Sequence, residues 1–285
     1  MRALVRGLAR SFRDSLKLAP AAEQQLIDMA KAHEQKQAYV QLLRGLLHDV
    51  IEVPADDAHP DCVFIEDAAV VVGRTAVIAN IGATERQGEE APVAAALQQL
   101  GYQRRPLQPP ATLDGGDVLQ LPDCSIILVG LSARTNAAAL EQMQGHLPQH
   151  VVHGVPVEHG LHLKSAVTAL DGATLLFSDD AAGRAISKAI QQLPGFGSGS
   201  VWQHIMVPDA AAANVLLLEG QQQHQRRQRH VVMQEGCSQS EALLEQLCAE
   251  RGLLLHKLPR MTEIAKADGA LTCCSILLAH VVADV

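Results

Sequence analysis

Five segments of this chain gather side chains that could do chemistry: 60–67 (PDCVFIED), 112–117 (TLDGGD), 159–165 (HGLHLKS), 208–214 (PDAAAAN) and 267–275 (ADGALTCCS). They supply carboxylates that could hold a cation, a histidine that could move a proton, and a thiol that could attack carbon. Each also has a plainer reading. Glu66 and Asp67, with Asp61 nearby, follow an apolar stretch and could cap a turn. Asp114 opens an Asp-Gly-Gly tripeptide, which suits a tight turn with φ > 0. His159 and His162 form an HxxH pair, but no third ligand motif and no HExxH pattern accompanies them, so metal ligation is not expected. Cys273 and Cys274 adjoin an apolar run, where cysteine is ordinarily an inert core residue.

The elements around these segments form a repeat. Amphipathic stretches rich in alanine and glutamine predict helices at about 24–48, 90–100, 137–146, 180–193 and 240–251. A short apolar run that reads as a strand follows each, at 50–53, weakly at 103–107, and at 151–155, 201–207 and 253–257. Strand pairs precede the later helices: 68–72 with 76–81, 118–121 with 125–129, and 166–170 with 174–178 across the turn dipeptide Asp171-Gly172. A fourth pair, 215–218 with 231–234, flanks the polar run EGQQQHQRRQRH, which reads as an exposed loop. The fifth is expected from the two ends of the chain, 271–279 and 3–6. Strand, strand, helix, strand repeated five times, with one unit closed by both termini, describes a ring. The prediction is an α/β fold over residues 1–285 as one catalytic domain, with the five reactive segments converging at one end of the axis.

Composition limits the functions such a ring could have. With 48% hydrophobic and 19% charged residues among 285, the chain is an ordinary globular sequence, neither disordered nor collagen-like. A net charge of −8 argues against a nucleic-acid partner and suits a small cationic ligand. No apolar run approaches the ~18 residues of a membrane span, and arginines interrupt the opening MRALVRGLARSF before a signal-peptide core could form. A cytoplasmic protein without a membrane partner is expected. The six cysteines, Cys62, Cys124, Cys237, Cys248, Cys273 and Cys274, show neither a disulfide framework nor a CxxC spacing for zinc.

Six ordered blocks, PDCVFIEDAAVV, ATLDGGDVL, VGLSARTN, GLHLKSAVT, VPDAAAAN and ADGALTCCSILL, resemble the dimethylarginine dimethylaminohydrolases of the guanidine-modifying amidinotransferase and deiminase superfamily. The resemblance covers almost the whole chain, from ALVRG onward. It implies a five-bladed α/β propeller of ββαβ units, the pentein fold, in agreement with the repeat. It also implies hydrolysis of asymmetric dimethyl- and monomethyl-L-arginine to citrulline plus dimethylamine or methylamine. By the same resemblance Cys273 is the nucleophile, His162 the general acid and then base, and Asp114 the residue that orients His162. Glu66, Asp67 and Asp114 would accept hydrogen bonds from the guanidinium. Arg86 and Arg134 would bind the α-carboxylate, while Asp61, Asp268 and the backbone carbonyl of Ala267 would bind the α-amino group. A mobile lid at 13–18 would cover the ligand through Leu16 or Leu18. The ligand is a methylated arginine, no cofactor is implied, and a homodimer is admitted.

Guanidinium chemistry explains why such residues are needed. The group is planar, delocalised and always charged, so its carbon is a poor electrophile until acceptors localise the charge and align it. A free thiol titrates near ~8.5, and an imidazolium or a cationic substrate favours the thiolate while carboxylates oppose it. The thiolate is therefore expected once substrate is bound. Two positions depart from the family pattern. IANIGATER stands where many relatives carry an arginine-proline pair, which affects the wall around Arg86, and LDGGD has an aspartate where other branches use glutamate. Competing readings are deimination of arginine or another guanidino compound, and a silent relative that only binds methylarginine.

Overall fold

The computed structural model describes residues 1–223 and 226–279. Strand β1 (Arg2–Arg6) is followed by helix α1 (Met29–Leu46) and the parallel strand β2 (Asp49–Val53). Four units then repeat strand, strand, helix, strand. They are β3 (Ala69–Val72), β4 (Thr75–Ile78), α2 (Glu90–Gln99) and β5 (Gln103–Pro106); β6 (Val118–Gln120), β7 (Ile126–Leu131), α3 (Ala137–His146) and β8 (Val151–Pro156). The next are β9 (Val167–Asp171), β10 (Thr174–Ser178), α4 (Ala181–Gln191) and β11 (Gln203–Val207); β12 (Leu216–Gln223), β13 (Arg226–Gln234), α5 (Glu241–Glu250) and β14 (Leu254–Leu258). A short helix α6 (Thr262–Ala265) leads to β15 (Ser275–Leu278), which pairs antiparallel with β1. The result is five three-stranded sheets, each with one antiparallel and one parallel pairing.

Strands that are apolar on both faces must be covered twice, and alternation along each strand shows by what. In β1, Ala3 and Val5 join Leu216, Leu218 and Val232 of the fifth unit, whereas Leu4 joins Ala69 and Val71 of β3. Val70 and Val72 of β3 turn to Ile127 and Val129 of β7. Leu128 of β7 meets Val167 and Phe177, while Leu170 and Leu176 meet Val231 and Met233. Each apolar cluster thus lies between adjacent sheets and the last returns to the first. This is the ring that the repeat predicts and the five-bladed α/β propeller that the resemblance implies. No helix among the described residues is long and apolar enough to cross a membrane.

Several boundaries differ from expectation, each for a local reason. α1 starts at Met29 and not near residue 24, because Asp28 caps it by accepting from the amides of Ala30 and Lys31. The polar run after Leu218 is not a loop over most of its length. Glu219 pairs with Arg229, Gln222 with Arg227 and Gln223 with Arg226, so the hairpin arms continue beyond the core on their backbone ladder. The residues at its tip, His224 and Gln225, lie outside the described residues. Finally, the 271–279 strand is shorter than expected, because Thr272–Cys274 forms a turn of 3-10 helix before β15 begins.

That turn has four counterparts. One turn of 3-10 helix precedes the first strand of each other unit, at Ile65–Ala68, Gly115–Asp117, Leu163–Ser165 and Ala210–Ala213. Hydrogen bonds link neighbouring turns: Gly116 N donates to Asp67 Oδ1, Leu163 N to Asp117 Oδ1, Asn214 Nδ2 to Lys164 O, and Thr272 N to Asn214 Oδ1. Residues from five distant parts of the sequence are thereby fixed in one layer across the axis.

Candidate active site

Residues one or two positions apart in this layer point to opposite sides. Asp67, His162 and Cys273 line one cavity of about 410 Å3, whereas Glu66, Lys164 and Thr272 line a second of about 330 Å3. The first cavity also receives Leu16, Leu18, Asp61, Arg86, Arg134, Ala267 and Asp268. Ten of the twelve residues predicted from sequence therefore surround one space. Asp114 is fully buried behind His162, and Glu66 faces the other cavity with its Oε1 2.6 Å from Lys164 Nζ.

His162 is held by its acids. Its Nε2 lies 3.1 Å from Asp114 Oδ2, and Asp114 Oδ1 accepts from Gly82 N at 2.9 Å. Burial opposes a charge on the imidazole, but Asp67, the hydrogen bond to Asp114 and the nearby Asp117 outweigh it and raise the histidine to about 9. The charged imidazolium is therefore the favoured form of His162 at neutral pH, with its Nε2–H given to Asp114. Burial works against the Asp67 carboxylate as well, yet His162, Arg86 and the Gly116 amide hold it down to about 2. Donor atoms of Asp67, Asp114 and His162 lie within 4.8 Å of one another, a spacing that could hold a metal ion. His159 is exposed while His162 is buried, and His159 is not among these three residues.

The glycines of LDGGD are needed for a reason other than the expected one. Neither adopts positive φ. A Cβ on Gly115 would lie 2.0 Å from the carbonyl oxygen of Glu66, and one on Gly116 would lie 2.5 Å from His162 Nδ1. They allow close approach between turns, and Gly116 leaves room for the imidazole. Asp117, in the same motif, accepts from the hydroxyls of Ser132 and Thr135 at 2.6 and 2.7 Å and from Leu163 N at 2.8 Å. It thereby fixes both the Ser-Ala-Arg-Thr segment that presents Arg134 and the turn following His162.

Cys273 is partly exposed to the cavity, whereas Cys274 is buried. Burial, Glu66 and Asp67 all push the Cys273 thiol up. Burial also raises Glu66 against the pull of Lys164. The resting site thus combines a protonated thiol with an imidazolium.

The two arginines differ. Arg86 is buried: its Nη1 donates to Asp67 at 2.7 Å, its Nε and Nη2 are held by Glu89, and Phe64 stacks at 6.0 Å from its guanidinium carbon. Arg134 Nη1 stands 3.9 Å from Asp114 without a hydrogen-bond partner. Gly82, from the segment that departs from the family pattern, permits this arrangement, since a Cβ there would lie 2.3 Å from the Arg134 carbonyl. Along segment 13–18, the expected lid, Leu16 N donates to Asp61 at 3.1 Å and Leu18 N to Asp268 at 2.6 Å. Glu89 and Lys164 were not singled out by sequence; an acid three residues after Arg86 was the only signal for the former.

A family profile described as N,N dimethylarginine dimethylhydrolase, eukaryotic, matches residues 13–161. The N(G),N(G)-dimethylarginine dimethylaminohydrolase of Streptomyces coelicolor is 36% identical over 266 residues, 92% of this chain and 91% of that protein. The chain belongs to the dimethylarginine dimethylaminohydrolase family. By that membership it is a hydrolase of guanidino C–N bonds. A Pseudomonas aeruginosa family member solved in complex with citrulline superposes with a TM-score of 0.79, at 27% identity over 96% of this chain and 98% of that one. The N-terminal domain of a cyanobacterial arginine dihydrolase superposes with a TM-score of 0.76 at 22% identity over 96% and 97%, a likeness of fold.

Proposed function

We propose that this protein hydrolyses asymmetric dimethyl- and monomethyl-L-arginine to citrulline, releasing dimethylamine or methylamine, with residues 1–285 acting as one catalytic unit. What supports this most directly is that Cys273, His162 and Asp67 line the same cavity as Arg134, whose Nη1 has no hydrogen-bond partner. A cationic head and an anionic tail of one ligand can be held together there.

In this reading the guanidinium lies against Asp67, bringing positive charge to the thiol. The thiol proton passes to solvent as the cationic ligand binds, and the thiolate attacks the guanidinium carbon to give a tetrahedral adduct. The bond to the methylated nitrogen breaks as His162 delivers its proton, freeing the amine and leaving an S-alkylthiouronium on Cys273. The neutral His162 then takes a proton from water as the water oxygen adds to the same carbon. Cleavage of the C–S bond returns the thiolate and forms the ureido group of citrulline. Asp114 holds the imidazole throughout. Asp61, Asp268 and the Ala267 carbonyl would accept from the α-amino group, and Leu16 and Leu18 would cover the ligand.

Citrulline release from asymmetric dimethylarginine, monomethylarginine and arginine, measured in parallel with chelator present, tests this. Turnover of the methylated substrates with little from arginine is expected. Preferential turnover of arginine would replace the reading with a deiminase.

A further inference from the structure

The turn that carries Cys273 is bracketed by two side chains of α1 that the chemistry above does not use. Lys36 Nζ donates to the carbonyl oxygen of Cys274 at 3.1 Å. One turn along the helix, Tyr39 Oη donates to the carbonyl of Leu271 at 3.0 Å and shares a hydrogen bond with Ser275 Oγ at 2.8 Å. The residues immediately before and after Thr272–Cys274 are thus tied to one helix face, while Asn214 holds Thr272 from the other side. Cys273 lies in the middle of a span fixed on both flanks.

Lys36 is the less expected of the pair. It is only 5% exposed, and no carboxylate lies within ion-pair distance of it among the described residues. Its ammonium meets the Cys274 carbonyl and, at 5.3 Å, the Tyr39 ring. Burying a cation without a counter-ion is costly, and an apolar residue would fill the same space without that cost. The expense is placed beside the nucleophile. The charges facing Cys273 are the carboxylates Glu66 and Asp67, which disfavour its thiolate, whereas the Lys36 ammonium faces the buried thiol of Cys274. Glu52, Cys62 and Cys274 are the titratable groups that face the Lys36 ammonium.

We propose that Lys36 and Tyr39 are positioning residues for the nucleophile: they hold the 272–274 turn so that Cys273 faces the cavity. The inference rests on Cys273 being the nucleophile. Buried lysine, carbonyl acceptor and catalytic thiol form one unit, assembled from parts of the chain 238 residues apart.

The test uses the full chain with Lys36→Met, Lys36→Gln, Lys36→Arg and Tyr39→Phe, and Cys273→Ser in parallel. Alkylation of Cys273 by iodoacetamide, located by mass spectrometry, is followed against pH alongside citrulline formation. Lys36→Met should slow alkylation of Cys273 and lower kcat about tenfold, with KM changed less than about twofold and the alkylation midpoint in place. Lys36→Arg, which keeps a donor for the Cys274 carbonyl, should restore most of the wild-type kcat. Tyr39→Phe should lower kcat and leave the midpoint in place. Lys36→Gln keeps only a shorter donor, so its lowered kcat decides the matter if Lys36→Met does not fold. An unchanged kcat in a folded Lys36→Met or Lys36→Gln protein would overturn the proposal. Turnover surviving in Cys273→Ser would instead overturn the assignment of the nucleophile, a separate outcome.

Discussion

The guanidinium of Arg86 lies 2.7 Å from the carboxylate of Asp67, inside the cavity where it was expected to serve a ligand's carboxylate. Glu89 occupies its other side. A buried arginine shared by two buried acids acts first as their counter-ion, and removing it strands both.

The consequence is a division of labour between the arginines. Arg86→Ala should destabilise the fold by about 3–5 kcal/mol, the typical cost of breaking a buried pair. Arg134→Ala should leave stability nearly intact and raise KM for methylarginine about ten- to hundredfold, in keeping with loss of a charge-assisted hydrogen bond. Urea unfolding and steady-state kinetics on both variants check this. A stable Arg86→Ala protein with raised KM, beside an unaffected Arg134→Ala, would reverse the assignment.

His162 links folding to pH. Its folded value of about 9 exceeds the ordinary 6.5, so the protonated form is bound more tightly in the folded chain. The stabilisation is fully present below about pH 6.5 and is lost as pH rises through about 9, amounting to on the order of 3 kcal/mol. Urea unfolding between those limits should show a decline that His162→Gln largely removes. At fixed neutral pH, His162→Ala should still bind methylarginine and fail to turn it over. Near-normal citrulline formation by that variant would remove the acid and base role.

Much of this arrangement could be read from the sequence, because recurrence at a fixed spacing carries topological information that single motifs lack. The ring follows from the repeat together with strand-like segments at both ends. Convergence of 60–67, 112–117, 159–165, 208–214 and 267–275 follows from the ring. What could not be read was which way neighbouring side chains point within one turn. Glu66 and Asp67 are adjacent in sequence but face different cavities. The partner of Glu66 is Lys164, 98 residues away, and no periodicity encodes that pairing. Likewise Gly115 and Gly116 looked like turn formers, and only the approach of Glu66 O and His162 shows that the constraint is space.

Segment 13–18, the proposed lid, is held by carboxylates that the ligand would also use. Asp268 holds Leu18 N and has a φ of 57°, so glycine can replace it without backbone strain while removing the carboxylate. Asp268→Gly should therefore speed trypsin cleavage at Arg13 or Lys17 and weaken citrulline binding several-fold. Unchanged cleavage and unchanged binding would show that the lid is held by other contacts, such as Phe12 against Phe64.

The adjacent cysteines separate catalysis from structure. Cys273 is partly open to the cavity and Cys274 is buried, with its thiol pushed up by burial. Cys273→Ser should abolish turnover and Cys274→Ser should retain much of it, and the opposite result would reassign the nucleophile. The same thiol then reports on substrate-assisted ionisation. Burial, Glu66 and Asp67 hold Cys273 protonated in the resting site, so alkylation at neutral pH should be slow. A guanidinium bound against Asp67 cancels part of that opposing charge. A cationic ligand short enough to leave the sulfur accessible should therefore accelerate alkylation of Cys273, and its neutral ureido analogue should not. Equal rates with and without the cation would mean that the thiolate is already present at rest, and that His162 overrides the carboxylates without help from the substrate.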